Sequence, residues 1–203
     1  MKIRTVEYAG TIVDPDAPRP GALPQVAFSG RSNVGKSSLI NVLLRRTNAK
    51  IARVSATPGK TQAINFFAVN DAFFLVDLPG FGYAEVPKKM REGWKHLIEG
   101  YLGSEEGPVG VVHLVDARRP PTDLDLEMLD YLAGVELPAL VVLTKMDKLK
   151  SQKARAVAID AAARDLRIES EQLVPFSSKT GEGRDALLGA ITGLLDGAGR
   201  PAS

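Results

Sequence analysis

Nine residues, Gly30-Arg31-Ser32-Asn33-Val34-Gly35-Lys36-Ser37-Ser38, constrain this chain more than any other stretch. They fit G-x-x-x-x-G-K-[ST], a pattern whose glycines let successive backbone N–H groups turn inward around a polyphosphate. Such a loop belongs between a strand and a helix, because the helix N-terminus adds its positive dipole end. The flanks meet that demand. Val26-Ala27-Phe28 reads as a short buried strand, and Leu39-Ile40-Asn41-Val42-Leu43-Leu44 as the apolar body of a helix. Lys36 is then expected to reach the β- and γ-phosphates, and the Ser37 hydroxyl to ligate Mg²⁺.

At 203 residues the chain is expected to form one domain that buries about 70% of its unfolded surface. Hydrophobic content of 44% and charged content of 25% are ordinary for a globular protein. The absence of cysteine excludes disulfides and thiolate metal sites and suits a reducing cytosol. No apolar run approaches the roughly 18–20 residues that span a bilayer, and the N-terminus lacks the apolar core of a signal peptide. A cytoplasmic protein without a membrane partner is expected. The formal charge of +2 neither demands nor forbids a nucleic-acid partner, so local clusters must decide.

Residues 1–24 read as a leader: Ile3, Thr5, Val6 and Tyr8 suit an edge strand, and the prolines from Asp14 to Gly21 mark a surface loop. The stretch from Thr47 to Thr61 is polar and turn-rich, where a nucleotide-dependent switch belongs. Ala63 to Val69 and Ala72 to Val76 flank Asn70-Asp71, a pair that readily takes the positive φ of a tight hairpin. Val109 to Val115 and Pro138 to Leu143 are near-continuous apolar runs, as expected of parallel strands covered on both faces. Between them Thr122 can cap a helix carrying Leu124, Met128, Tyr131 and Leu132 on one stripe. Residues 151–166 favour a helix, Gln172 to Phe176 a last strand, and Leu187, Leu188, Ile191, Leu194 and Leu195 the inner face of a final helix. The domain is thus expected to run over 25–196, with 197–203 as a tail.

Three further motifs close strands. Asp77-Leu78-Pro79-Gly80 places an aspartate that can hold Mg²⁺ through water, and Gly80 can offer its N–H to a γ-phosphate. Thr144-Lys145-Met146-Asp147 fits [NT]-K-x-D, whose carboxylate can accept both N1–H and N2–H₂ of guanine while the lysine stem lies over the base. Adenine would leave that carboxylate unpaired, and sites of this logic discriminate by roughly 10⁴–10⁵. Phe176-Ser177-Ser178 can support guanine O6 through a backbone N–H. Each motif is short, but their order is that of a GTPase, with ligands collecting outside the carboxyl ends of the strands.

Together with Thr57-Pro58-Gly59-Lys60-Thr61-Gln62 and Asp77-Leu78-Pro79-Gly80-Phe81-Gly82-Tyr83-Ala84, these residues resemble the bacterial EngB GTPases (also called YihA or YsxC), an Era-like group of the TRAFAC class. The resemblance covers roughly residues 3–196. It implies an α/β, three-layer, Ras-like P-loop GTPase fold with a mostly parallel six-stranded sheet, one antiparallel strand, and helices on both faces. It also implies Ser37 and Thr61 as Mg²⁺ ligands, and Gly59, Lys60, Thr61, Gln62 and Ala63 as the nucleotide-facing part of switch I. The family is associated with large-subunit ribosome assembly and with septation, so the pre-ribosomal particle, its rRNA and protein, is the expected partner of a monomeric switch.

Where small signalling GTPases carry a water-orienting glutamine after D-x-x-G, this chain has Phe81, which cannot hydrogen-bond a water. Slow intrinsic turnover is expected, and no residue stands out as a catalytic base. Asn33 is a candidate for holding a monovalent cation, K⁺, that offsets charge building on the phosphates; shaping of the loop by its own side chain is the alternative. Arg45, Arg46, Lys50 and Arg53, and then Lys88, Lys89, Arg91 and Lys95 with Trp94 and Tyr101 nearby, form basic clusters able to neutralise RNA phosphates or simply to face water. A GTP-dependent adaptor in cell division without RNA contact is the competing reading. An ATPase or nucleotide kinase is disfavoured by Asp147.

Overall fold

Strand β2 (Gln25–Gly30) is buried along its whole length, and the rest of the molecule is laid out from it. The computed structural model describes residues 1–45, 63–81 and 88–198. In chain order these hold β1 (Val6–Ile12), β2, α1 (Lys36–Leu43), β3 (Ile64–Val69), β4 (Phe73–Asp77) and α2 (Lys88–Leu102). Then follow β5 (Gly110–Asp116), α3 (Asp123–Gly134), β6 (Ala139–Thr144), α4 (Gln152–Leu166), β7 (Leu173–Pro175) and α5 (Arg184–Ala198). The strands form one sheet in the order β1-β3-β4-β2-β5-β6-β7.

β2 pairs in parallel with β4 on one side and β5 on the other, so the ends of three parallel strands come side by side. β3 runs antiparallel to both its neighbours, through a turn in which Asn70 and Asp71 take φ of 54° and 51°. The sheet has seven strands where the six-strand expectation counted one fewer, because the leader strand β1 joins it beyond β3. Val6 and Ile12 turn inward, and the Asn70 carboxamide oxygen accepts the Arg4 and Thr5 N–H groups at 2.7 and 3.1 Å. That ties the leader to the hairpin tip.

Helices cover both faces. Leu39, Ile40 and Leu43 of α1 pack with Phe28, Val112, Leu187, Leu188 and Ile191 on one side. On the other, Leu97, Ile98 and Tyr101 of α2 meet Ala27, Phe66, Phe74 and Val76. A third cluster joins Val141 and Leu143 to Ala162, Ala163 and Leu166 of α4. Full burial of side chains of this size stabilises by about 1.5–3 kcal/mol each, which fixes the strand ends relative to α1.

Two expectations fail in detail. Tyr101 is no surface aromatic beside a basic cluster: it is fully buried, and its hydroxyl donates to Gln25 Oε1 at 2.9 Å. On α3, Leu124 is exposed and Asp125 faces inward with Leu132. Met128, Tyr131 and Leu132 keep the inward stripe, but in the first turn Asp125 takes the inner position because it has buried polar partners, described below.

Candidate functional site

The connection from β2 to α1 has the physical marks of an anion site. Gly35, the residue before α1, takes φ 109° and ψ 14°, a conformation glycine adopts without strain, and gives the helix no side-chain cap. The N–H groups of Lys36, Ser37 and Ser38 have no intrahelical acceptor by helix geometry. No acidic residue stands in the first turn, and the helix begins with a lysine, against the sense of its own dipole. By contrast, α4 carries Ser151 as its cap, accepting the Ala154 N–H at 3.1 Å. A bare, lysine-led start is what a bound anion would complete.

Within the loop, Asn33 takes φ 65°, a left-handed position that asparagine tolerates. The Val34 N–H donates to the Arg31 carbonyl at 3.1 Å, closing a turn. Arg31 makes a parallel bridge with Phe81, and the Ser32 N–H donates to the Phe81 carbonyl at 2.8 Å. Gly80 lies against the same stretch: a Cβ there would sit 3.2 Å from Ser32 Oγ and 3.4 Å from Ser32 N. The Asp77-Leu78-Pro79-Gly80 segment is therefore set alongside the loop, and the Leu78 N–H donates to the Phe28 carbonyl at 3.1 Å. The Lys36 ammonium and the Asp77 carboxylate form a close ion pair.

At the far end of the same sheet edge, Thr144 closes β6, and its hydroxyl donates to the Val34 carbonyl at 2.7 Å. Lys145 takes φ 63°, and its ammonium donates to the Asn33 carbonyl at 2.7 Å and to Asp116 Oδ2 at 2.8 Å. The lysine thus braces the phosphate loop from the second motif. Met146 is buried, and its N–H donates to the Phe176 carbonyl at 3.2 Å. Ser177 Oγ donates to Asp147 Oδ1 at 2.9 Å and accepts the Lys179 and Thr180 N–H groups, both at 3.2 Å. Ser178 follows in the same turn. These bonds hold one carboxylate oxygen of Asp147 in a fixed direction.

Asp116, at the end of β5, escaped the sequence reading. Burial pushes its carboxyl up, but hydrogen bonds from Arg118 and Lys145 outweigh that and hold it well below the usual carboxylate range. It is the ionised anchor of Lys145. A cleft of about 270 Å³ opens between the loop and the β5–α3 connection, lined by Arg31, Asn33, Asp116, Arg118, Arg119 and Lys145. Its only sequence signal was the polar run after β5.

The four motifs meet at one edge of the sheet. Ser37 and Asp77 offer the hard oxygen donors that Mg²⁺ takes with phosphate oxygens and water, so the residues present fit that ion. Ala63 lies just before β3. Gly59, Lys60, Thr61 and Gln62 lie outside the described residues, as do Arg46, Lys50 and Arg53.

Residues 25–145 match a family model described as a 50S ribosome-binding GTPase. A probable GTP-binding protein EngB of Gemmatimonas aurantiaca is 50% identical over 196 residues, 96% of this chain and 95% of that protein. Its counterpart in a Geobacter species is 45% identical over 97% of this chain and 90% of that protein. Among solved structures, a probable GTP-binding protein EngB superposes with a TM-score of 0.69 at 28% identity, covering 85% of this chain and 98% of that one. Aquifex aeolicus Era bound to GDP and aluminium fluoride shares the fold at 23% identity, TM-score 0.65, over 90% of this chain and 58% of that one.

Proposed function

This chain belongs to the EngB family of P-loop GTPases, and on that footing we propose that it acts as a GTP-driven switch in assembly of the large ribosomal subunit, with a resulting role in cell division and septation. The observation that carries the reading is the uncapped, lysine-led start of α1 facing Asp77, on the same sheet edge as Asp147 braced by Ser177. Residues 25–196 form the nucleotide-binding unit, with 1–24 as its leader and 197–203 as its tail, α5 running on to Ala198 at the start of that tail. The working place is the cytoplasm and the working form a monomer.

In this reading the N–H groups of Asn33 and of Gly35 to Ser38 cradle the α- and β-phosphates. Lys36 leaves Asp77 for the β- and γ-phosphates, and the Gly80 N–H meets the γ-phosphate. Asp147 reads guanine, with the stem of Lys145 over the base and the backbone from Phe176 to Ser178 near O6. Ser37 and Thr61 would hold Mg²⁺ directly and Asp77 through water, and the ion when bound would supply positive charge against the phosphates. Phe81 offers no bond to the attacking water, so unaided turnover is slow and a partner or cation accelerates it. Asn33 is the candidate ligand for K⁺. Potassium should raise the hydrolysis rate over sodium at equal ionic strength, and Asn33→Ala should abolish that difference.

The particle is engaged in the GTP state, through the basic start of α2 at Lys88, Lys89 and Arg91. Sedimentation of lysate particles tests this. With a non-hydrolysable GTP analogue the protein should travel with large-subunit material, less so with GDP, and less at raised salt. Reversal of those three charges should release it while sparing GTP binding. Equal sedimentation of the triple variant and the native protein would instead favour an adaptor that makes no RNA contact.

A further inference from the structure

His113 stands in the middle of β5 with no solvent exposure, and no motif accounts for it. Its Nδ1 lies 2.9 Å from Ser29 Oγ on β2, one residue before the phosphate loop begins. Its Nε2 lies 3.2 Å from Asp125 Oδ1 in the first turn of α3. The other oxygen of Asp125 accepts the Thr122 N–H and the Thr122 hydroxyl, both at 2.8 Å. Burial raises the Asp125 pKa, but these bonds prevail and lower it, so the group is an ionised acceptor. An acceptor there requires the proton on Nε2, and the Ser29 hydroxyl stands within hydrogen-bond reach of Nδ1. The imidazole is pinned at both edges, and its plane is fixed.

Phe81 lies nearly parallel to that plane and offset from it. The two rings are nearly parallel, 11° apart, with centroids 5.9 Å apart, within the range of offset aromatic stacking. Phe81 immediately follows Gly80, and its carbonyl accepts the Ser32 N–H. Gly80 itself has no room for a Cβ against Ser32 without displacement. The imidazole therefore stands beside the end of the D-x-x-G segment, which backbone bonds from Ser32 and Leu78 also tie to the phosphate loop and β2.

We propose that His113 is a positioning residue for γ-phosphate sensing: pinned by Ser29 and Asp125, its ring sets Phe81, and through it the direction of the Gly80 N–H. This rests on the reading that Gly80 meets the γ-phosphate. Because GDP lacks that group, the ring pair controls the ratio of GTP to GDP affinity rather than nucleotide affinity as a whole. It also gives position 81 a purpose in a chain whose residue there cannot orient water.

Competition against a fluorescent GDP, with Mg²⁺ present, measures affinities for GDP and for a non-hydrolysable GTP analogue. Phe81→Leu and His113→Gln should each lower affinity for the analogue by roughly two- to tenfold, the range an aromatic contact supports, with GDP changed by less than about twofold. The double variant should lose no more than the worse single one, since both remove the same contact. Phe81→Tyr keeps the ring and should keep the native ratio. A histidine of purely structural use would weaken both nucleotides together or neither. The proposal is overturned if Phe81→Leu leaves the ratio unchanged, if both nucleotides weaken equally, if the two losses multiply, or if Phe81→Tyr behaves like Phe81→Leu. Should His113→Gln not fold, the two Phe81 variants decide by the same criteria. Gly80→Pro, which removes the N–H itself, separates the two levels. An unchanged ratio there removes Gly80 from the γ-phosphate and this inference with it. A changed ratio beside unaffected Phe81 and His113 variants spares the site reading and overturns the role of His113.

Discussion

At the end of the sheet edge formed by β6 and β7, the residues proposed to read guanine are held by other parts of the protein. Ser177 fixes Asp147, Asp116 and the Asn33 carbonyl fix Lys145, and the Val34 carbonyl fixes Thr144. At the end formed by β2 and β4, the two charged groups proposed to meet phosphate and Mg²⁺ are held by each other, Lys36 to Asp77. In the proposed reading the first end keeps these internal bonds when a base binds. The second must exchange an internal ion pair for the ligand's charges. The difference follows from what each ligand brings. A base is neutral and needs a preset pattern of donors and acceptors, whereas a polyphosphate with its cation carries charges that replace the pair one for one.

Four substitutions would break or sharpen that contrast. The largest effect is expected at the preset end: Asp147→Asn should move preference from guanosine to xanthosine triphosphate by roughly 10⁴-fold, with phosphate binding intact, in a competition titration with both nucleotides. Unchanged preference for GTP would remove Asp147 from base reading. Lys36→Met should do the reverse, weakening GTP and GDP by about 10- to 100-fold through lost charge-assisted bonds of about 1.5–3 kcal/mol, while guanine preference persists. If titration calorimetry finds binding undiminished, the ion pair is the lysine's whole role.

Asp125→Asn probes the layer beneath the loop. It should cost about 1–3 kcal/mol of unfolding free energy at neutral pH, by weakening a buried hydrogen-bonded network. The folded carboxyl has a depressed pKa, so its contribution is complete above the ordinary carboxylate range and is lost as pH falls from there through the lowered folded value. Denaturant unfolding at several pH values should therefore show the native protein losing stability on acidification, and the variant losing less. Identical pH slopes would show that Asp125 contributes nothing as an ion. The smallest effect belongs to Ser177→Ala, which removes one bond to a carboxylate that keeps its place in the chain. Both nucleotides should weaken by about two- to tenfold, read in the same competition assay. A loss as large as that of Lys36→Met would mean that the guanine end is not preset by its neighbours but depends on this single hydroxyl.

The sequence by itself determined which residues make up the candidate site and in what order its parts come. Each motif is contiguous, and each abuts an apolar run or a turn signal such as Asn70-Asp71, so local chemistry sufficed to place it at a strand end. Hydrophobic periodicity located the final helix face, with Leu187, Leu188 and Ile191 inside. Only the tertiary structure decided how the side chains are held. Ser29 and His113 are 84 residues apart, Lys145 and Asp116 are 29 apart, and the Arg184 guanidinium that donates to the Val42 and Leu43 carbonyls at the end of α1 arrives from more than 140 residues away. The apolar stripe put Leu124 inside α3, yet Asp125 is buried and Leu124 exposed. An apolar residue carries its preference for the interior within itself. A polar one is buried only where a partner waits, and that partner stands on another strand.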